Sequence, residues 1–157
     1  MADSRKRIFE NRGKPVTESN VIYFERKRLR SEAYLALTGL GHLYVLHFLG
    51  CRQGHMVKAS GLWEQSNNGK IYFTYADAKK YYGVKYPGRH NRTLKQLHMV
   101  GFIDIAHHGG GMDGDCTLFS ISKRWEKFGM PEFEFKEWPK DTRKHGNMKI
   151  KEFGKGR

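Results

Sequence analysis

The chain is short of almost everything an enzyme or a metal site is built from. Cys51 and Cys116 are too few and too far apart for a Cys-rich zinc site, and two such thiols are most simply buried side chains. His107 and His108 are adjacent, so on a strand they face opposite sides and do not share a metal. Asp113, Gly114 and Asp115 give only the start of a calcium loop, without the later ligands and the closing glutamate. No serine, cysteine or lysine stands in a nucleophile motif, and no Gly-rich loop ends in the Lys-Ser/Thr pair that cradles phosphate. The expectation is a binding protein with no cofactor, no metal and no catalytic residue.

Acidic side chains are also scarce. Asp and Glu number 16 against 29 Lys and Arg, leaving a formal net charge of +13 on 157 residues. Such a surplus points to a polyanionic partner, although it says nothing about fold. Its placement is uneven. Residues 1–30 hold nine basic and four acidic side chains, with Val21, Ile22, Tyr23 and Phe24 as the one strand candidate. Residues 129–157 are again basic and broken by Pro139, Gly146, Gly154 and Gly156. These stretches read as basic, flexible N- and C-terminal tails, the second anchored by Phe133, Phe135 and Trp138 against a central domain at 31–128.

Long apolar runs are missing except for one. Ala33 to Cys51 spans nineteen residues with no Lys, Arg, Asp or Glu, close to the ~20 that cross a bilayer. Ser31 before it is a good N-cap with Glu32 in the first turn. Gly39, Gly41, His42 and His47 interrupt it, and basic residues stand on both flanks without an orientation signal. A single long core helix is therefore predicted in preference to a membrane span. Its apolar breadth leaves a homodimer open. No basic, apolar and small-residue sequence directs export from the N-terminus, so a cytoplasmic location is expected.

What is there lies between 71 and 121. Asn67, Asn68 and Gly69 mark a turn, and Ile71, Tyr72 and Phe73 a short strand. Thr74 three residues before Asp77 predicts a helix starting at Tyr75, which Gly83 closes. After Val84 and Lys85, Pro87 fits the first turn of a second helix that runs with Leu94 and Leu97 to Val100, before Gly101. Residues 102–106 and 117–121 are strand-like, with Gly109, Gly110, Gly111 and Gly114 in the loop between them. At about 100° per residue, the face opposite Leu94 and Leu97 carries Arg89, Arg92 and Gln96, with Lys85 and Lys95 at its margins. Guanidinium forks and an amide there have the donors and acceptors needed to read purine edges.

Tyr75 to Gly83, Val84, Arg92, Leu94, Leu97, Gly101 to Ile103 and Phe119 to Ile121 together resemble the winged-helix superfamily. The likeness is to the small winged-helix proteins of plasmids, phages and other mobile elements. It implies an α+β fold, a winged helix-turn-helix with a three-helix core and a β-hairpin wing. It implies a recognition helix at about 87–100, a wing at about 102–121, and duplex DNA bound in transcriptional regulation or replication initiation. Lys79, Lys80, Lys85, Arg89, Arg92, Lys95 and Gln96 would be the contacts. His90 falls where such helices bury an apolar residue, and Asp113 and Asp115 put negative charge in the wing. Tyr72, Phe73, Tyr75, Tyr81, Tyr82 and Tyr86 interleave with Lys79, Lys80 and Lys85, which keeps single-stranded nucleic acid or RNA open as a ligand. An acidic protein partner for Arg89 and Arg92 stays open as well.

Overall fold

The computed structural model describes residues 22–109 and 115–140. It is mixed α+β. Two one-turn helices, α1 (Arg26–Leu29) and α2 (Glu32–Leu35), lead into α3 (Gly39–Gly50). A hairpin of β1 (Gly54–Met56) and β2 (Trp63–Gln65) follows, then β3 (Ile71–Tyr72), α4 (Tyr75–Tyr82) and α5 (Pro87–Val100). β4 (Ile103–His107), β5 (Leu118–Ile121) and a 3-10 turn at Arg124–Lys127 complete the order.

The expected single helix after Ser31 is two. Ser31 does accept from the Tyr34 amide, but only one turn forms before Thr38 caps a fresh helix by accepting from Gly41 N. A second capping hydroxyl seven residues after the first offers the backbone an end and a restart, and the chain takes it. No described helix is long and apolar enough to cross a membrane.

Described residues on either side of 31–128 pack against this body as well. Residues 22–25 are irregular where a strand was predicted, and Phe24 packs edge-on against Tyr34, 5.2 Å between ring centres. The Arg28 guanidinium is buried over the Trp125 ring, 5.0 Å away. Beyond Lys127 the chain has no regular structure, yet Phe133 packs on Phe128 and Trp138 on His98. Of the three anchors expected in the C-terminal tail, Phe135 alone is exposed. Residues 1–21, 110–114 and 141–157, which include most of both tails and the glycine-rich loop, lie outside the described residues.

The three-stranded sheet is ordered β3-β5-β4, antiparallel throughout, with Ile71 and Ile105 both opposite Phe119 and Ile103 opposite Ile121. These side chains meet Tyr44, Val45 and Phe48 of α3 and Leu94 and Leu97 of α5 in one core, closed at its edge by Phe102 and Trp125. Gly101 joins α5 to the sheet at φ 90°, and a Cβ there would stand 2.7 Å from the Trp125 amide nitrogen. That position thus needs glycine for both its backbone angle and its closeness to the next segment.

The β1–β2 hairpin was not foreseen. Its residues are almost all exposed, so no alternation of buried and exposed side chains betrays it. Gly54 is required, because a Cβ there would meet the Glu64 carbonyl and the Trp63 ring. Asn67 ties its base, donating to Cys51 O at 2.8 Å and accepting from Gln53 N at 2.9 Å. Asn68 accepts from Ile121 N at 2.7 Å, which pins the same turn to the edge of the sheet.

Candidate nucleic-acid interface

Local chemistry sets the α4–α5 pair in place. Thr74 and Asp77 form a reciprocal capping box at the start of α4, and Gly83 ends it at φ 63°, in the left-handed region. Tyr75 Oη donates to Lys85 O at 2.8 Å across the connection. Pro87 opens α5 at a position whose missing N–H would have had no helical partner. The boundaries predicted at Tyr75, Gly83, Pro87 and Gly101 therefore all hold.

Behind this pair, histidines take over positions usually given to aliphatic side chains. His90 is buried on the inner face of α5; its Nε2 donates to Phe73 O at 3.2 Å, leaving Nδ1 to accept from Tyr44 Oη at 2.8 Å. Both ring nitrogens are thus satisfied with the imidazole neutral. His47 of α3 stacks on Phe73 at 3.9 Å and bonds Tyr82 Oη of α4 at 2.9 Å. Burial pushes its pKa down to about 4, against the weaker upward pull of Asp77. Burial likewise lowers His90 and raises Tyr44 to about 12. These groups tie α3, α4, α5 and the residue after β3 together, and burial favours their uncharged forms.

Acid should therefore loosen the α4–α5 pair. His47 has a folded pKa near 4, below its ordinary 6.5, so the unfolded chain binds more protons between those values. Stability should be full above about pH 6.5 and fall as pH drops toward 4. At ~1.4 kcal/mol per pKa unit the loss approaches ~3 kcal/mol for this one group. Thermal unfolding measured across pH 4–8 checks it. His47→Phe should start lower, having left Tyr82 Oη without its partner, but show a shallower decline.

The outer side is different. Lys79, Lys80, Lys85, Arg89, Arg92 and Lys95 are all exposed. Residues 75–100 hold those six cations and one acid, Asp77, whose carboxylate is occupied in the capping box. Arg92 lies back along α5 with Nε donating to Gly88 O at 3.3 Å. Gln96 is placed otherwise than predicted. Its Oε1 accepts from the Thr38 hydroxyl at 3.2 Å and its Nε2 donates to Ala36 O at 3.2 Å, so the amide clasps α5 to the start of α3. Helical projection put Gln96 beside Arg92 correctly but carried no sign that a segment 58 residues away would reach it.

Asn91 was overlooked. It is exposed on the same side as Arg92 and Lys95, and the projection around the helix could have found it. Tyr72, Tyr81 and Tyr86 are exposed, whereas Phe73 is buried and Tyr75 and Tyr82 are half-buried against the core, so half of this aromatic set belongs to packing. The β4–β5 hairpin carries no Lys or Arg from 103 to 121. Among the described residues, no group of three His, Cys, Asp or Glu could hold a metal ion.

A strap fixes the far end of α5. Arg124, nearly enclosed, donates to Asp104 at 3.0 Å through Nε, to His98 O at 2.8 Å and to Glu134 O at 2.8 Å. Burial alone would raise the Asp104 pKa; the hydrogen bonds and charge of Arg124, with Lys136 at 3.4 Å, outweigh it and hold the carboxyl below its usual range. His98 donates from Nε2 to Glu137 O at 3.2 Å and meets Trp138 edge-on. Burial, helped by Arg124, pushes the pKa of that imidazole down despite Asp104 at 3.8 Å.

Comparison with protein-family models, with curated proteins and with solved structures yields no match for this chain.

Proposed function

We propose that this chain is a winged helix-turn-helix protein that binds duplex DNA by laying the outer side of α5 in a major groove. The fold part of the reading is supported by the element order α3, β3, α4, α5, β4, β5 and by a sheet in which the first strand pairs with the last. Here α4 and α5 are the helix-turn-helix and β4–β5 is the wing. One observation carries the function: six exposed cations against a single engaged carboxylate across the α4–α5 pair, which is held from behind by the hydrogen-bonded His90 and His47.

Phosphate neutralisation supplies affinity, and side chains on α5 supply selectivity. Lys79, Lys80, Lys85 and Lys95 suit the backbone, being mobile point charges, while Arg89 and Arg92 have the planar fork that matches a guanine edge. The wing brings no cation of its own, so its part is to flank the helix and not to grip phosphate. The cellular role consistent with this docking unit is transcriptional regulation or replication initiation of a mobile element.

Arg92→Ala tests the division of labour. It should weaken binding to a selected duplex by about 1 to 3 kcal/mol and relax preference at one base position, with a smaller loss on random duplex. Equal losses on both would make Arg92 a phosphate contact. Fluorescence anisotropy at fixed salt, with single-stranded DNA and RNA of the same sequence as competitors, reads both effects. Preference for a single strand would shift the reading to the exposed Tyr72, Tyr81 and Tyr86 as stacking platforms.

A further inference from the structure

The outer side of α5 is not equally free along its length. Toward the C-terminal end, Gln96 is clasped by Thr38 and Ala36 on one flank, and His98 is covered by Glu137 and Trp138 on the other. Only Lys95 and Met99 remain open there. Toward the N-terminal end the free arc widens to take in Gly88, Arg89, Asn91 and Arg92. Gly88, Asn91 and Arg92 fall within about 100° of arc.

Within that arc Gly88 has nothing within 4 Å of where a Cβ would lie, so no packing requirement explains the glycine. Helical side chains lean toward the N-terminus, which sets Asn91 and Arg92 on either side of it. Arg92 shows this directly, its Nε resting on the Gly88 carbonyl. The Asn91 side chain has no hydrogen-bond partner among the described residues, and asparagine is a poor residue for a helix interior. α5 has two side-chain amides. One is consumed in the fold and the other stands free beside a guanidinium.

Resting on the reading of α5 as a DNA-docking helix, we infer that Asn91 reads an adenine next to the base pair read by Arg92, across a notch that Gly88 leaves open. The Asn91 carbonyl oxygen accepts from adenine N6–H and its amide donates to adenine N7, a pairing that no other base offers in the major groove. The missing side chain at Gly88 lets the helix sit low enough for a side chain as short as asparagine to reach a base edge.

The test is selection of binding sites from a duplex pool randomised over its central positions, with the wild-type chain, Asn91→Ala and Arg92→Ala. The wild type should enrich a site holding an A·T pair adjacent to a G·C pair. Asn91→Ala should lose the preference at the A·T position alone, about 10- to 100-fold, keep the preference at the G·C position, and unfold at the wild-type temperature or above it. Asn91→Ala enriching the wild-type site with undiminished preference at every position overturns the assignment, as does a wild-type site with no A·T pair beside the one that Arg92→Ala relaxes. A wild-type chain that enriches no site over the starting pool overturns the DNA-docking reading itself, and the role of Asn91 with it.

Discussion

Arg124→Ala is expected to destabilise the protein by about 3 to 5 kcal/mol, the range for removing one partner of a buried, hydrogen-bonded ion pair. The Arg124 side chain is 8% exposed and binds three segments at once: the Asp104 carboxylate and Ile103 carbonyl of β4, the His98 carbonyl of α5, and the Glu134 carbonyl in the strap. Its loss leaves Asp104 with the half-exposed Lys136 as its remaining full cation, beside Ser122 and His98, and takes a cation from the carbonyl end of α5, where a positive group is favoured. Urea unfolding measures the effect. Arg124→Lys should recover only part of it, because an ammonium cannot span the same set of acceptors. A loss under 1 kcal/mol for Arg124→Ala would mean that the strap does not brace α5.

The second large effect falls on binding alone. Arg89→Glu combined with Arg92→Glu should reduce affinity for duplex DNA by at least ~100-fold, since each contact is worth about 1 to 3 kcal/mol and reversal adds repulsion from phosphate. Both side chains are exposed and neither is part of the core, so the melting temperature should change little. Isothermal titration with a duplex and a thermal melt of the same preparation separate the two outcomes. Retained affinity in the double variant would place the interface elsewhere.

The contrast between these variants follows the division between what sequence could and could not reveal. Residues 74–101 were legible because their boundaries are chemical: Thr74 with Asp77, Gly83, Pro87 and Gly101 each satisfy or relieve specific backbone groups, and local rules read them. The break at residues 36–38 was hidden inside an apolar run, where hydropathy spoke for continuity and the Thr38 hydroxyl for a new start. The β1–β2 hairpin left no trace in burial periodicity, since it buries almost nothing of its own. Arg124 and Lys136 reach Asp104 from 20 and 32 residues away, and Gln96 reaches Thr38 from 58, so no window along the chain contains these contacts. The exposed cations were read correctly as exposed because helical projection needs only the core side, which Leu94 and Leu97 supply.

His90 is the most instructive case. A polar residue at an inward position would cost several kcal/mol if unpaired, yet Tyr44 Oη and Phe73 O satisfy both of its nitrogens. The partners lie 46 and 17 residues away, so the sequence exposed the oddity without its resolution. The result is a polar lock between α3, α5 and the residue that follows β3, on the side of α5 away from its exposed cations.

The most direct measurement of the central claim is the affinity for one duplex as a function of salt, for the wild type and for Arg89→Glu with Arg92→Glu. With about four to six phosphates neutralised by the α4–α5 cations, log affinity should fall against log salt with a slope of about −3.6 to −5.4. The double variant should bind far more weakly with a flatter slope. Affinity that does not change with salt, or a slope and affinity identical in the two proteins, would contradict duplex DNA binding through α5.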